Sequence, residues 1–235
     1  YRGREIDLGP NAANPRALNK FGHIIEIREA ADDHTSRKFT WEVFLLGGDP
    51  NGGKLLASLA DVQQDSVYYA GYTNAADVSP IGSPDNLGFD RDGNVWIVTD
   101  GKQPDGSNDG CWVCPTSGPE RGRLQRFMSG PIGAEICGCE FTPDGETLFL
   151  SIQHPGSGGS VMNPKSHWPD GNGAQPRASV IAICAHVPQS SANAAVTRAM
   201  CHASSGSARR CRPSGAMSAN FRNAAGDVSA ISRRQ

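Results

Sequence analysis

The sequence predicts an all-β chain of propeller type, and three observations carry that expectation. Runs of β-branched and aromatic residues are short and bounded by turns. Gly and Pro are abundant, at 28 and 16 of 235 residues, without a collagen period. One strand-turn-strand pattern also recurs 52 residues further along the chain.

The first strand is read at Gly22-His23-Ile24-Ile25-Glu26-Ile27-Arg28 and the second at Phe39-Thr40-Trp41-Glu42-Val43-Phe44-Leu45-Leu46, both closed by turn residues. Residues 54–60 fit a helical turn and a strand equally well. The repeat follows. Phe89-Asp90-Arg91-Asp92-Gly93-Asn94-Val95-Trp96-Ile97-Val98 aligns with Phe141-Thr142-Pro143-Asp144-Gly145-Glu146-Thr147-Leu148-Phe149-Leu150. Each copy is an apolar strand end, an Asp-Gly turn whose Gly tolerates positive φ, and a strand of large apolar residues, which together make a β-hairpin. Recurrence every 40–50 residues or so is the period of four-stranded propeller blades, and a pair of unrelated hairpins in a β-sandwich is the alternative. At that period residues 1–183 hold roughly three to four blades, part of a ring that closes with about 4–8. With Tyr1 starting inside a sheet protein, an incomplete chain is expected.

Charge divides the chain after Ile183. Fifteen Lys and Arg stand against twenty-three Asp and Glu before that point, whereas the remaining 52 residues hold seven Arg, one Asp and no Leu, Trp or Tyr. Such a composition buries too little apolar surface to offset ordering entropy. The expected organisation is a partial β-propeller domain over 1–183 and a low-complexity basic tail over 184–235, disordered or read out of frame. The tail lacks Lys clusters and has one aromatic residue, which argues against a nucleic-acid arm. The longest apolar run spans six residues, 180–185, far below the ~20 of a transmembrane helix. Seven cysteines, at 111, 114, 137, 139, 184, 201 and 211, are odd in number and irregularly spaced, so they name no redox compartment.

Several ordered blocks resemble the C-terminal portion of PhoX-type alkaline phosphatases over about residues 10–183. They are Asn14-Pro15-Arg16-Ala17, Gly22-His23-Ile24-Ile25, Trp41 to Pro50, Ser83-Pro84-Asp85-Asn86-Leu87, Phe127 to Glu135, the Phe141 hairpin, and Ile152-Gln153-His154-Pro155-Gly156. The resemblance implies a six-bladed propeller, monomeric and exported to the periplasm or beyond, that hydrolyses phosphomonoesters with calcium and iron near its axis. It also implies that the family's nucleophile-side motifs lie upstream of Tyr1, so no catalytic residue is assigned within this chain. Two other readings of the fold are a non-catalytic binding scaffold and a lactonase-like calcium propeller.

Phosphate hydrolysis calls for charge neutralisation and metal ions, and hard cations take oxygen ligands. Asp85 is the first candidate ligand, set by Pro84 before a strand expected at Leu87; otherwise it closes an Asx-turn. Glu135 is either a ligand directed to the axis or a solvated strand residue. Asp49 is a ligand or part of an ordinary Gly-Gly-Asp-Pro turn, and Asn14 a ligand or a cap before Pro15. Arg16 and His23 are the candidates for phosphate, against a surface ion pair and a satisfied strand histidine. His154 is read as structural. The segment 105–110 fits the first half of a calcium loop but lacks the Glu at position twelve, so a solvated turn is the better reading. Cys111 and Cys114, three apart on an expected strand, would face opposite ways and could not chelate one zinc ion.

Overall fold

A computed structural model of the chain describes residues 19–49, 70–186 and 197–202. The described residues form ten strands: β1 (His23–Glu29), β2 (Phe39–Leu46), β3 (Pro84–Phe89), β4 (Val95–Thr99), β5 (Gly110–Cys114), β6 (Gln125–Ser129), β7 (Glu135–Phe141), β8 (Thr147–Gln153), β9 (Ser179–His186) and β10 (Thr197–His202). Among the described residues helix is confined to two three-residue 3-10 turns, Ala30–Asp32 and Ala75–Asp77. All pairings are antiparallel. β1 and β2 make a two-stranded sheet, and two four-stranded meanders run β3-β4-β5-β6 and β7-β8-β9-β10. Among the described residues no helix is long and apolar enough to cross a membrane.

The ambiguous 54–60 segment lies outside the described residues, as do Asn14 and Arg16. β9 runs through Ile183 to His186, and the backbone of β10 pairs with it from Thr197↔His186 to His202↔Ile181.

The two copies of the repeat occupy the same place in successive meanders, β3-β4 in one and β7-β8 in the other. Their turns close alike: Gly93 N–H donates to Asp90 C=O at 3.0 Å and Gly145 N–H to Thr142 C=O at 2.7 Å, with both Gly at positive φ. A side-chain oxygen organises each turn. The Asp90 carboxylate accepts from the Asp92 and Asn94 backbone N–H, the Asn94 amide and the Trp96 indole, while Thr142 Oγ1 accepts from Thr147 N–H. The two hairpins also touch at equivalent or adjacent positions. Gly138 N–H donates to Asn86 Oδ1, and Arg91 donates to the Asp144 carbonyl at 2.7 Å.

Partial burial opposes the charge on Asp90, but its four donors outweigh that cost and hold the carboxyl below the ordinary value. A depressed folded-state pKa contributes stability that is present above the unfolded value, near 4, and disappears as pH falls through the folded one. The stability gap between wild type and Asp90→Asn is therefore expected to be constant at neutral pH and to close in acid, read from denaturant unfolding at several pH values. A gap unchanged at low pH would contradict this.

The apolar runs in β4 and β5 are continuous rather than alternating because the β3–β6 sheet is covered on both faces. Val95, Ile97, Trp112 and Cys114 pack with Phe44, Leu45 and Leu46 of β2 in one core, and Val98 and Cys111 pack with Ile136, Leu148, Leu150, Ile152, Ile181 and Ile183 in a second. Cys111 and Cys114 thus sit in different cores, as strand alternation requires. At the second interface Trp96 meets Phe127 and Phe141 edge to face, at 4.9 and 5.2 Å between centroids. The meanders approach so closely that a Cβ on Gly88 would lie 2.5 Å from the Cys139 carbonyl oxygen. Gly88→Ala is expected to destabilise the protein by roughly 1–3 kcal/mol through forced separation of β3 from β7, read as a lower urea midpoint.

Candidate active site

The D-G turns close one end of the repeated hairpins, and candidate residues collect at the other. Pro84 pairs with Thr99 at that end of β3-β4, and Glu135 with Gln153 at that end of β7-β8. Asp85 is the second residue of β3, so it lies within the strand rather than in a turn ahead of Leu87. Pro84 tolerates a strand's first position, where its missing N–H breaks no ladder bond. Backbone strain marks both approaches, with Ser83 at φ 52° and His154 at φ 30°. Such conformations concentrate at functional sites because the surrounding fold must impose them.

Glu135 is held by three neighbouring side chains. Its side chain is 13% exposed, its Oε1 accepts from the Cys137 thiol at 2.8 Å and the Gln153 amide at 3.2 Å, and its Oε2 lies 3.1 Å from His154 Nε2. Burial, then Glu135 itself, pushes the Cys137 thiol up to about 11, so it acts as a donor to the carboxylate. Partial burial of His154 works against its charge, but Glu135 and the nearby carbonyl of Gly133 prevail and raise its pKa above 6.5. A raised folded-state pKa contributes stability fully present below the unfolded value and lost as pH rises through the folded one. The stability lost in His154→Gln is expected to be larger at pH 6 than at pH 8.5, measured by thermal unfolding at both.

Asp100 follows directly on β4. Its carboxyl is pushed up by burial and then by the negative charges of Glu135, Asp109 and Asp85, with His154 partly offsetting them. These acidic groups therefore share one electrostatic neighbourhood, a place where a cation is favoured. Asp109 is tied down structurally. Its Oδ1 accepts from Thr99 Oγ1 at 2.6 Å, Gly101 N–H at 2.9 Å and Gln103 Nε2 at 3.0 Å, and Gln103 and Thr99 are almost fully buried. Asp105 turns the other way, to Ser107 and to Arg126 at 2.7 Å. The 105–110 segment is accordingly a bonded turn whose carboxylates diverge.

A cavity of about 200 Å³ brings His23 and Asp85 together, lined also by Ile24, Ile25, Pro84 and Leu87. The Asn19 amide lies 2.9 Å from His23 Nδ1. An amide N–H donating there leaves the neutral ring's proton on Nε2, which makes that nitrogen a donor suited to an anionic oxygen. Asp49 follows the Gly48↔Ile81 bridge, which joins the end of β2 to the segment leading into Asp85.

Of the candidates within the described residues, Asp85 thus links two groups, the His23 cavity and the Glu135 neighbourhood, and Asp49 lies on the adjoining segment. Sequence reasoning missed Asp100 as a member and read His154 as structural. Asp100 follows directly on the apolar run of β4, and an acid placed at a strand end was the available signal.

Oxygen donors of this kind suit a hard cation such as calcium. Among the described residues no three His, Cys, Asp or Glu side chains stand close enough to hold an ion by themselves.

The fold and the site together define an all-β protein with a carboxylate-rich end where successive meanders adjoin. Residues 3–156 match the family described as Alkaline phosphatase PhoX, and the chain belongs to that family. The chain is also similar to a solved structure, Pseudomonas fluorescens PhoX in complex with vanadate, a transition state analogue, with 36% identity and a TM-score of 0.54. That alignment covers 72% of this chain and 27% of the other, so this chain spans about a quarter of the length of the structure it matches. No curated relative matches.

Proposed function

We propose that this chain is the C-terminal portion of a phosphomonoester hydrolase of the PhoX type, metal-dependent through calcium and iron and working in the periplasm or outside the cell. The observation that carries the reading is the electrostatic neighbourhood that Asp85, Asp100, Glu135 and His154 share where β3 and β7 begin and β4 and β8 end, with Asp85 also lining the cavity beside His23. Family membership and the vanadate-bound relative support phosphoryl chemistry. The two meanders read as two propeller blades with β3 and β7 innermost, since equivalent residues of those strands touch, and β1-β2 as part of a third.

In this reading Asp85 and Glu135 supply carboxylate oxygens to bound cations, with Asp49 and Asn14 as further oxygen donors. Bound metal ions would neutralise charge on the phosphoryl oxygens. Glu135 is fixed for its role by Cys137, Gln153 and His154, so little reorganisation is needed on binding. His23 Nε2–H and the Arg16 guanidinium orient the phosphate, and Asp100 adds negative potential that favours the cations. The nucleophile comes from outside this chain. Metal analysis of the full-length protein is expected to find calcium with iron, and removing them with a chelator to abolish hydrolysis of p-nitrophenyl phosphate. A metal-free protein with full activity would refute the proposal.

A further inference from the structure

Two of the cysteines meet across the interface between the meanders. Cys111 is fully buried on the face of β5 that turns to the second core, and Cys139 of β7 packs against that same core. β5 and β7 touch in this core. The Cys111 thiol donates to the Trp112 carbonyl at 3.9 Å, and Cys139 is the neighbouring group that acts on it. Cys139 lies in the irregular stretch of β7 between Cys137 and Glu140, its carbonyl set against Gly88 of β3. Other thiols are placed elsewhere. Cys114 belongs to the opposite core, Cys137 bonds Glu135 and Gln153, and Cys184 takes the Thr147 hydroxyl.

We propose that Cys111 and Cys139 form a disulfide that staples the β3–β6 sheet to the β7–β10 sheet in an oxidising environment. The oxidant is an external disulfide, small-molecule or protein. The half-buried Cys139 is the thiol it reaches first. The Cys139 thiolate attacks one sulfur of that disulfide, forming a mixed disulfide and releasing one thiolate. Cys111 then gives up its proton and attacks the Cys139 sulfur, which forms the internal bond and releases the second thiolate. Two protein thiols are oxidised and one external disulfide is reduced to two thiols. Burial and the neighbouring thiol hold Cys111 protonated, which makes the second step the slow one. The bond would cross-link elements of different sheets and constrain the unfolded chain.

The test uses the full-length protein incubated with glutathione disulfide, alkylated, and digested with trypsin. Cleavage after Lys102, Arg121, Arg126 and Lys165 places the two cysteines in separate peptides, 103–121 and 127–165. The expected result is one linked pair of these peptides, with fragment spectra assigning the bond to Cys111 and Cys139. Cys114 and Cys137 should remain alkylated. The oxidised protein should melt roughly 5–10 °C above the reduced form, and Cys139→Ser should lose both the linked pair and the shift. Full alkylation of Cys111 and Cys139 in the oxidised wild type, or a bond through Cys114 or Cys137, would overturn the proposal, whether or not the variant folds.

Discussion

Replacing Asp85 by Ala in the full-length protein is expected to lower p-nitrophenyl phosphate turnover by about 100-fold or more, with the fold intact. Asp85 borders both the cavity shared with His23 and the acidic neighbourhood of Asp100 and Glu135, so its carboxylate joins the phosphate-facing and cation-facing parts of the proposed site. Removing a group that stabilises transition-state charge, directly or by holding a metal, typically costs about 2–3 orders of magnitude. The effect on folding should be small, because relieving repulsion among the acids offsets the lost contacts. Circular dichroism and the thermal midpoint separate the two effects. A turnover within threefold of wild type would remove Asp85 from the site.

The largest effect on stability is expected at Trp112. The ring is fully buried in the first core, its indole N–H donates to the Pro80 carbonyl at 3.1 Å, and the Arg126 guanidinium lies 4.9 Å from the ring centroid. Trp112→Ala leaves a cavity between β2 and the β3–β6 sheet, orphans that carbonyl and removes the surface that Arg126 covers. A loss of roughly 3–5 kcal/mol follows for a truncation of this kind. Trp112→Phe keeps most of the apolar contact and forfeits the hydrogen bond, for about 1–2 kcal/mol. Denaturant unfolding of both variants reads the difference. Equal losses would mean that the hydrogen bond, and not the packing, dominates.

How far the site was legible depends on the distance over which its signals act. The Asp-Gly turns were legible because a Gly at positive φ and a nearby oxygen acceptor settle a hairpin within about six residues, and Gly93 and Gly145 behave accordingly. Strand alternation likewise foretold that Cys111 and Cys114 face different ways. Asp85, however, was expected in a turn and stands in β3, since the Pro before it opens the strand instead of ending a loop. His154 follows a strand and precedes Pro155, which reads as punctuation. Its value as a partner of Glu135 arises because β7 and β8 pair from their ends, 19 residues apart in sequence.

By itself the sequence determined the β class, the recurring hairpin and the acidic character of residues 1–183, all consequences of local backbone preference and composition. Only the tertiary structure decided which acids share one field and which are spent on the scaffold. Asp105 and Asp109 stand four residues apart and diverge, one to Arg126 and the other to Thr99 and Gln103, while Asp85 and Glu135, fifty residues apart, act on the same Asp100 carboxyl. The reason is physical: a side chain's charge is felt through space, and the sheet edges that bring these groups together are set by the burial of the two cores.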